Sequence, residues 1–286
     1  MELTEVTQYS SRRSRIAEAL RSNMYALQLH ELYRYRSLTW NLVVRELKAR
    51  YRGSMLGFMW SFLNPLLLMC VYALVFSVIL GRWKMHESYI PLVFSGLLAW
   101  LWFNSSLLEA SGSILGGGSL IKKVLFPAEV LPLVVVFSNF IHFLLSLPML
   151  FIFLIVFRRP LGIALLSLPV IMLVQMILTI GLAFLFSALC VHFRDVQHIL
   201  ANLLTLWFFL TPVVYPFKDI QNRGFLKIPV IVNPITHLVV AYQNVFVEGR
   251  FPDFSQLAIV AILAVLAYLL GASIFERYRG IFAEEV

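Results

Sequence analysis

Residues 45–80, RELKARYRGSMLGFMWSFLNPLLLMCVYALVFSVIL, join a basic helical segment directly to an apolar run long enough to cross a bilayer. On a helix, Val44, Leu47, Tyr51 and Met55 fall at i, i+3, i+7 and i+11 and form one apolar stripe. Arg45, Lys48 and Arg52 occupy another face, and Glu46 and Arg50 make an i,i+4 pair in the favoured order. Such a helix is expected to lie in the headgroup plane, its stripe toward the acyl chains and its cations toward anionic lipid. Gly53 then permits a turn into the bilayer. The helix reads either as a plain surface anchor or as a rigid element on which a soluble partner could push.

Working outward, hydrophobic residues make up 60% of the 286 and charged residues 13%. A soluble domain carries about 45–50% and about 25%, so the chain is an all-α polytopic membrane protein. The net charge of +8 is therefore topological and does not signal nucleic-acid binding. Cys70 and Cys190 sit inside apolar runs and read as small hydrophobic residues. No His, Cys or Asp cluster has metal-ligand spacing. The polar first 37 residues contain no apolar run of signal-peptide type.

Six spans are expected, at about 55–80, 90–108, 130–157, 161–191, 199–215 and 257–275. Phe157-Arg158-Arg159-Pro160 makes a tight hairpin between the third and fourth. An even count puts both termini on one side. Fifteen Lys and Arg residues fall on that side, Arg12, Arg13, Arg15, Lys122, Lys123 and Arg194 among them, against eight on the other. That excess makes the termini cytoplasmic. Residues 216–256 differ in kind: Ile228-Pro229-Val230-Ile231-Val232, then Asn233-Pro234, then a short apolar helix near Thr236–Val247. That helix is too short to cross, and the segment is expected on the outer face as a pair of short re-entrant helices dipping back into the membrane before the last span; it reads also as a surface cap.

Ion-coupled transporters keep ionisable groups inside their spans. Here Glu109 stands at the end of the second span and His142 alone lies well inside, as a hydrogen-bonded packing residue or a proton relay. A phosphate-binding loop needs a glycine directly before its lysine, and Ile121 precedes Lys122 in Gly116-Gly117-Gly118-Ser119-Leu120-Ile121-Lys122-Lys123. The chain carries no such ATPase motif, so it is expected to be a transport subunit and not an enzyme. Aromatics are plentiful, with Trp100, Trp102 and Phe103 in the second span and Trp207, Phe208, Phe209 and Tyr215 in the fifth. Indole faces toward mid-span suit a conduit for sugar rings, although core or lipid-facing packing explains any single one.

Four motifs at these spacings carry a resemblance. They are Arg45-Glu46-Leu47-Lys48-Ala49-Arg50-Tyr51-Arg52 with Leu56-Gly57 and Trp60, then Ser119-Leu120-Ile121-Lys122-Lys123-Val124-Leu125-Phe126-Pro127 with Leu131-Pro132. His192-Phe193-Arg194-Asp195-Val196 follows, then Thr211-Pro212-Val213-Val214-Tyr215-Pro216 with Asn233-Pro234. From about residue 38 to the last span the chain resembles the membrane subunit of type-2 ATP-binding-cassette exporters of polysaccharides, the group exporting O-antigen, teichoic acid and capsule.

That resemblance implies a homodimer forming a channel in the bacterial inner membrane, with two copies of a separate ATPase that binds ATP and Mg. It implies no cofactor on this chain. It makes 119–127 a coupling helix (Leu120, Ile121, Lys122, Lys123, Val124, Leu125, Phe126, Pro127), 43–53 an interface helix and 216–250 an outer gate. Residues 1–37 are a cytoplasmic arm beyond the shared motifs, and 276–286 a cytoplasmic tail. Arg194 and Asp195 read as a local salt bridge or helix cap, or as a substrate contact. A lipid-linked polysaccharide would meet the cations of Arg45, Lys48, Arg50 and Arg52 and pass along Trp60, Tyr72, Trp100, Trp102, Phe103, Trp207, Phe208 and Tyr215. The alternatives are an exporter of a lipid or drug, a partner-free channel or secondary transporter, and, more distantly, a membrane glycosyltransferase or acyltransferase.

Overall fold

The computed structural model describes residues 35–75, 89–118, 120, 127–221 and 227–285. The expected arm, the second half of the first span, coupling residues 121–126 and part of the outer gate lie outside the described residues. All regular elements among the described residues are helical.

Helix α1, Arg36–Tyr51, starts well before the expected residue 43. It stops where Arg52 becomes extended and Gly53 takes φ +81. Nothing crowds a Cβ at Gly53, so conformation alone selects glycine there. A short 3-10 turn, Gly57–Met59, leads into α2, Trp60–Ala73. The first crossing thus begins at Trp60, and Met55 is fully exposed outside any helix. The remaining long helices are α3 (Tyr89–Ser111), α4 (Val130–Val156), α5 (Leu168–His192), α6 (Val196–Phe209), α7 (Pro234–Gln243) and α8 (Phe254–Arg279). Among the described residues, four units are long and apolar enough to cross a membrane: α3, α4, Ile163–His192 and α8. α2 and α6 are shorter apolar helices, and the 14 residues of α6 fall below the about 20 of a straight crossing.

Helix α3 is the axis of the bundle: 72% of its most apolar stretch is buried, against 28% in α4 and in α8. Around it α4, α5, α6, α7 and α8 contribute one continuous core. In lipid, apolar surface gains little from leaving its solvent, so packing and internal hydrogen bonds hold helices together. Glycine provides the packing where α5 meets α8. A Cβ on Gly181 would stand 2.5 Å from the Tyr268 backbone, and one on Gly271 would strike the Gly181 carbonyl.

One end of the bundle gathers α1, residues 112–118 and 127–129, the turn at 193–195 and the end of α8. Arg279 Nη1 bonds Glu129 Oε1 at 2.9 Å, and Phe282 packs on Phe275. The opposite end holds the α4–α5 hairpin, residues 210–221 and 227–233, and the loop before α8. Tyr89 Oη donates there to the Val214 carbonyl at 2.8 Å, and Gly249 (φ +64) lies against Pro160. Asp253 caps α8 at this end. The Ser255 hydroxyl and the Gln256 amide hold its carboxyl below the usual range.

The short helix after Asn233-Pro234 enters the bundle. Asn233 caps α7 by accepting from the Ile235 amide at 3.0 Å, with Pro234 in the first turn. α7 runs inward until the fully buried Tyr242 meets Phe143 at 5.8 Å between centroids, at the midpoint of α4.

Two substitutions test this packing. Gly181→Leu should destabilise the protein by roughly 1–3 kcal/mol through overpacking, read as a lower melting temperature in detergent, while Gly280→Ala, with nothing near its Cβ, should not. Arg158 (φ +51) sits in the left-handed position after α4, where the Arg158 and Arg159 amides close onto the Ile155 and Leu154 carbonyls. Arg158→Gly should raise stability by about 0.5–1 kcal/mol in the same melt.

Candidate functional site

Three helices turn their few polar groups toward one cleft. Asn139, His142 and Ser146 of α4 lie at i, i+3 and i+7; Ser61 and Asn64 face them from α2, and Ser105 from α3. With Arg50, Trp60, Trp102 and Phe143 they line a cavity of about 270 Å³. Pro65 shapes one wall. Having no N–H, it leaves the Ser61 carbonyl without its helical partner, and Ser146 Oγ reaches across from α4 to donate to that carbonyl at 3.3 Å. His142 Nδ1 meets Ser61 Oγ at 3.3 Å, so the His142 ring helps tie α2 to α4.

At the mouth, Arg50 closes a ring of three side chains. Its Nη2 bonds Glu109 Oε2 of α3, and its Nη1 donates to Asn139 Oδ1 of α4 at 3.1 Å. Asn139 Nδ2 donates to the same Glu109 oxygen at 2.8 Å, and Glu46 stands 3.6 Å from Arg50 Nε. Asn139 is 4% exposed. The ring fixes the rotation of α1. Val43, Leu47 and Arg50 share one face at i, i+4 and i+7, and that face meets protein: Val43, 1% exposed, packs with Val130 and Val134. The expected stripe is therefore corrected. Val44 is half-buried and Met55 lies outside the helix, because the reach of Arg50 to Glu109 selects the Val43 face. Arg45, Lys48 and Arg52 are exposed, Glu46 is half-buried, and Tyr51 ends the helix.

The aromatic expectation is also revised. Trp100, Trp102, Phe103 and Phe208 are 4%, 2%, 0% and 6% exposed, so they pack inside this subunit. Tyr72, Phe208, Trp100, Phe103 and Trp207 follow one another at centroid spacings of 5.3, 5.6, 5.8 and 5.4 Å. Trp102 stacks on Phe143 and reaches the cleft wall. Trp207 and Tyr215 are half-buried, with Trp207 Nε1 donating to Asn233 Oδ1 at 2.8 Å. Trp60 alone of the group is exposed, at 42%.

Of the coupling segment, Leu120 is half-buried and Pro127 buried, both at the α1 end, while Ile121, Lys122, Lys123, Val124, Leu125 and Phe126 lie outside the described residues. Arg194 and Asp195 are exposed; Asp195 takes the N-cap position of α6 without a side-chain cap bond.

Sequence reasoning missed Ser61, Asn64, Ser105, Asn139 and Ser146 as a group. It also missed His198, Asn202 and Thr205, which stand exposed at i, i+4 and i+7 on α6. The signal was present in both cases: polar residues at helical spacing within runs that are otherwise apolar.

Comparison with known proteins accords with this architecture. The ABC-2 type transporter family matches residues 37–247. The O-antigen export system permease protein RfbA of Myxococcus xanthus is 42% identical over 258 residues, covering 90% of this chain and 98% of that protein. A protein of the same name from Klebsiella pneumoniae is 31% identical over 241 residues, 84% of this chain and 91% of its own length. The polysialic acid transport protein KpsM of Escherichia coli is 19% identical over 236 residues, 82% and 91%. With this match running from the start of α1 to the turn after α7, the chain belongs to the ABC-2 type transporter family.

Proposed function

We propose that this chain is the permease subunit of an exporter moving a lipid-linked polysaccharide of the O-antigen class across the bacterial inner membrane. The observation that carries this reading is the cleft: hydroxyls, amides and the indoles of Trp60 and Trp102 line one cavity between apolar helices, with the Arg50 guanidinium at its mouth. Indole faces and amide groups suit sugar rings, and arginine suits phosphate. The names of the relatives support the same substrate class.

Both termini and α1 belong to the cytoplasmic side in this reading, so that a lipid headgroup would reach Arg50 from the inner leaflet. Residues 119–127 and α1 would receive the stroke of a separate ATPase, which binds the ATP and Mg. Two copies of the permease would enclose the conduit. His198, Asn202 and Thr205 support α6 as a conduit wall, because an exposed polar stripe is costly against lipid and is normally turned toward water or protein. α7 would close the outer end.

Two measurements test the reading. Affinity purification from native membranes in mild detergent should recover a P-loop ATPase at about one copy per chain, as the two-plus-two assembly requires; a chain purifying alone across several detergents would overturn the exporter assignment. Thr205→Trp should reduce export to background while leaving the complex assembled. Val265→Trp, on the exposed apolar face of α8, should export normally. Equal export by both variants would remove α6 from the conduit.

A further inference from the structure

Within that reading, on which this inference rests, we infer that Glu109 is a specificity-determining residue: it occupies the phosphate position of the cleft and yields it only to a lipid diphosphate. Two donors from two different helices, Arg50 Nη2 of α1 and Asn139 Nδ2 of α4, converge on the single oxygen Glu109 Oε2. Such a pair of donors aimed at one anionic oxygen is the arrangement that reads a phosphoryl group. Here Glu109 supplies that anion from within the protein.

The three members of the ring differ in freedom. Asn139 is buried and its Nδ2 is also held by the Val135 carbonyl at 3.1 Å, so it stays in place. The Arg50 side chain is 24% exposed and keeps Glu46 near its Nε after any exchange. Glu109, 39% exposed, is the member that can leave for water. An incoming ligand must therefore outcompete one tethered carboxylate.

A phosphodiester headgroup of an ordinary bilayer lipid carries a single negative charge, as Glu109 does, and must also be brought from the bilayer, so it loses. A diphosphate bridging lipid and sugar carries two negative charges and more acceptor oxygens, and it wins. Arg45 and Lys48 stand exposed on the same helix and Arg52 just after it, and their charge favours the more highly charged group. Glu109 thus excludes the abundant lipids while leaving the donors set for the rare one.

The test uses the full complex of this chain with its ATPase, with bound lipids counted by native mass spectrometry. Farnesyl diphosphate is competed against phosphatidylglycerol, with farnesol as the uncharged probe. The wild type should prefer farnesyl diphosphate. Glu109→Gln should gain phosphatidylglycerol, and its preference should fall by roughly tenfold, equal to about 1.4 kcal/mol of discrimination. Glu109→Asp, which keeps the charge, should stay close to the wild type and thereby exclude a mere folding defect. Arg50→Gln should lose both charged lipids and keep farnesol. An unchanged preference in Glu109→Gln, with binding still dependent on Arg50, would overturn the inference and leave the cleft as a headgroup site. Wild-type binding of farnesyl diphosphate no tighter than farnesol, or indifferent to Arg50→Gln, would overturn the headgroup reading itself. Displacement of farnesyl diphosphate by inorganic pyrophosphate at equal concentration would overturn the assignment to a lipid and point to a free anion.

Discussion

The bond from Arg50 to Glu109 joins a surface helix to the central span, and much of the α1 end is organised around it. It chooses which side of α1 faces inward, and Val43 follows into contact with α4. Through Asn139 it also ties α3 to α4 at the level where the cleft opens. A charged group at a membrane surface has water as an alternative partner, so the pair itself adds little stability. Its weight is geometric: it sets the register between an element a soluble partner could push and the spans that would have to move.

Above that ring, the cleft shows how a membrane protein can make room for polar surface. A backbone carbonyl in lipid must find a donor. Pro65 removes the usual one, and Ser146 replaces it from another helix. The single hydroxyl proton of Ser146 is shared with the His142 carbonyl at 2.9 Å, so the link to α2 is the longer branch of a three-centre bond. Polar groups satisfied between helices, and not within them, therefore hold the two walls of the cleft, α2 and α4, in one register.

Much of the fold was legible because the membrane imposes it. Apolar runs predicted α3, α4, α5 and α8. Phe157–Pro160 predicted the hairpin, Asn233-Pro234 the start of an inward helix, and Gly53 the turn. What was not legible is rotation about each helix axis. In a span that is apolar all round, periodicity says little about which side faces the core, and Trp100, Phe103 and Phe208 were assigned to a conduit although they pack inside. Rotation was written in the rare polar residues, at i, i+3 and i+7 in α4 and at i, i+4 and i+7 in α6. On α1 it was hidden for another reason: Arg50 has its partner 59 positions away, in a helix whose face sequence alone could not assign.

Gly181 and Gly271 bear on how such a bundle can move. Where two helices touch backbone to backbone, no side chain lies between them to change rotamer, and sliding would drive the Tyr268 backbone into the Gly181 strand of atoms. α5 and α8 therefore behave as a single stator. In the proposed exporter, a stroke delivered to α1 would then have to be taken up around this pair, by helices such as α2 and α6, and not by sliding within it.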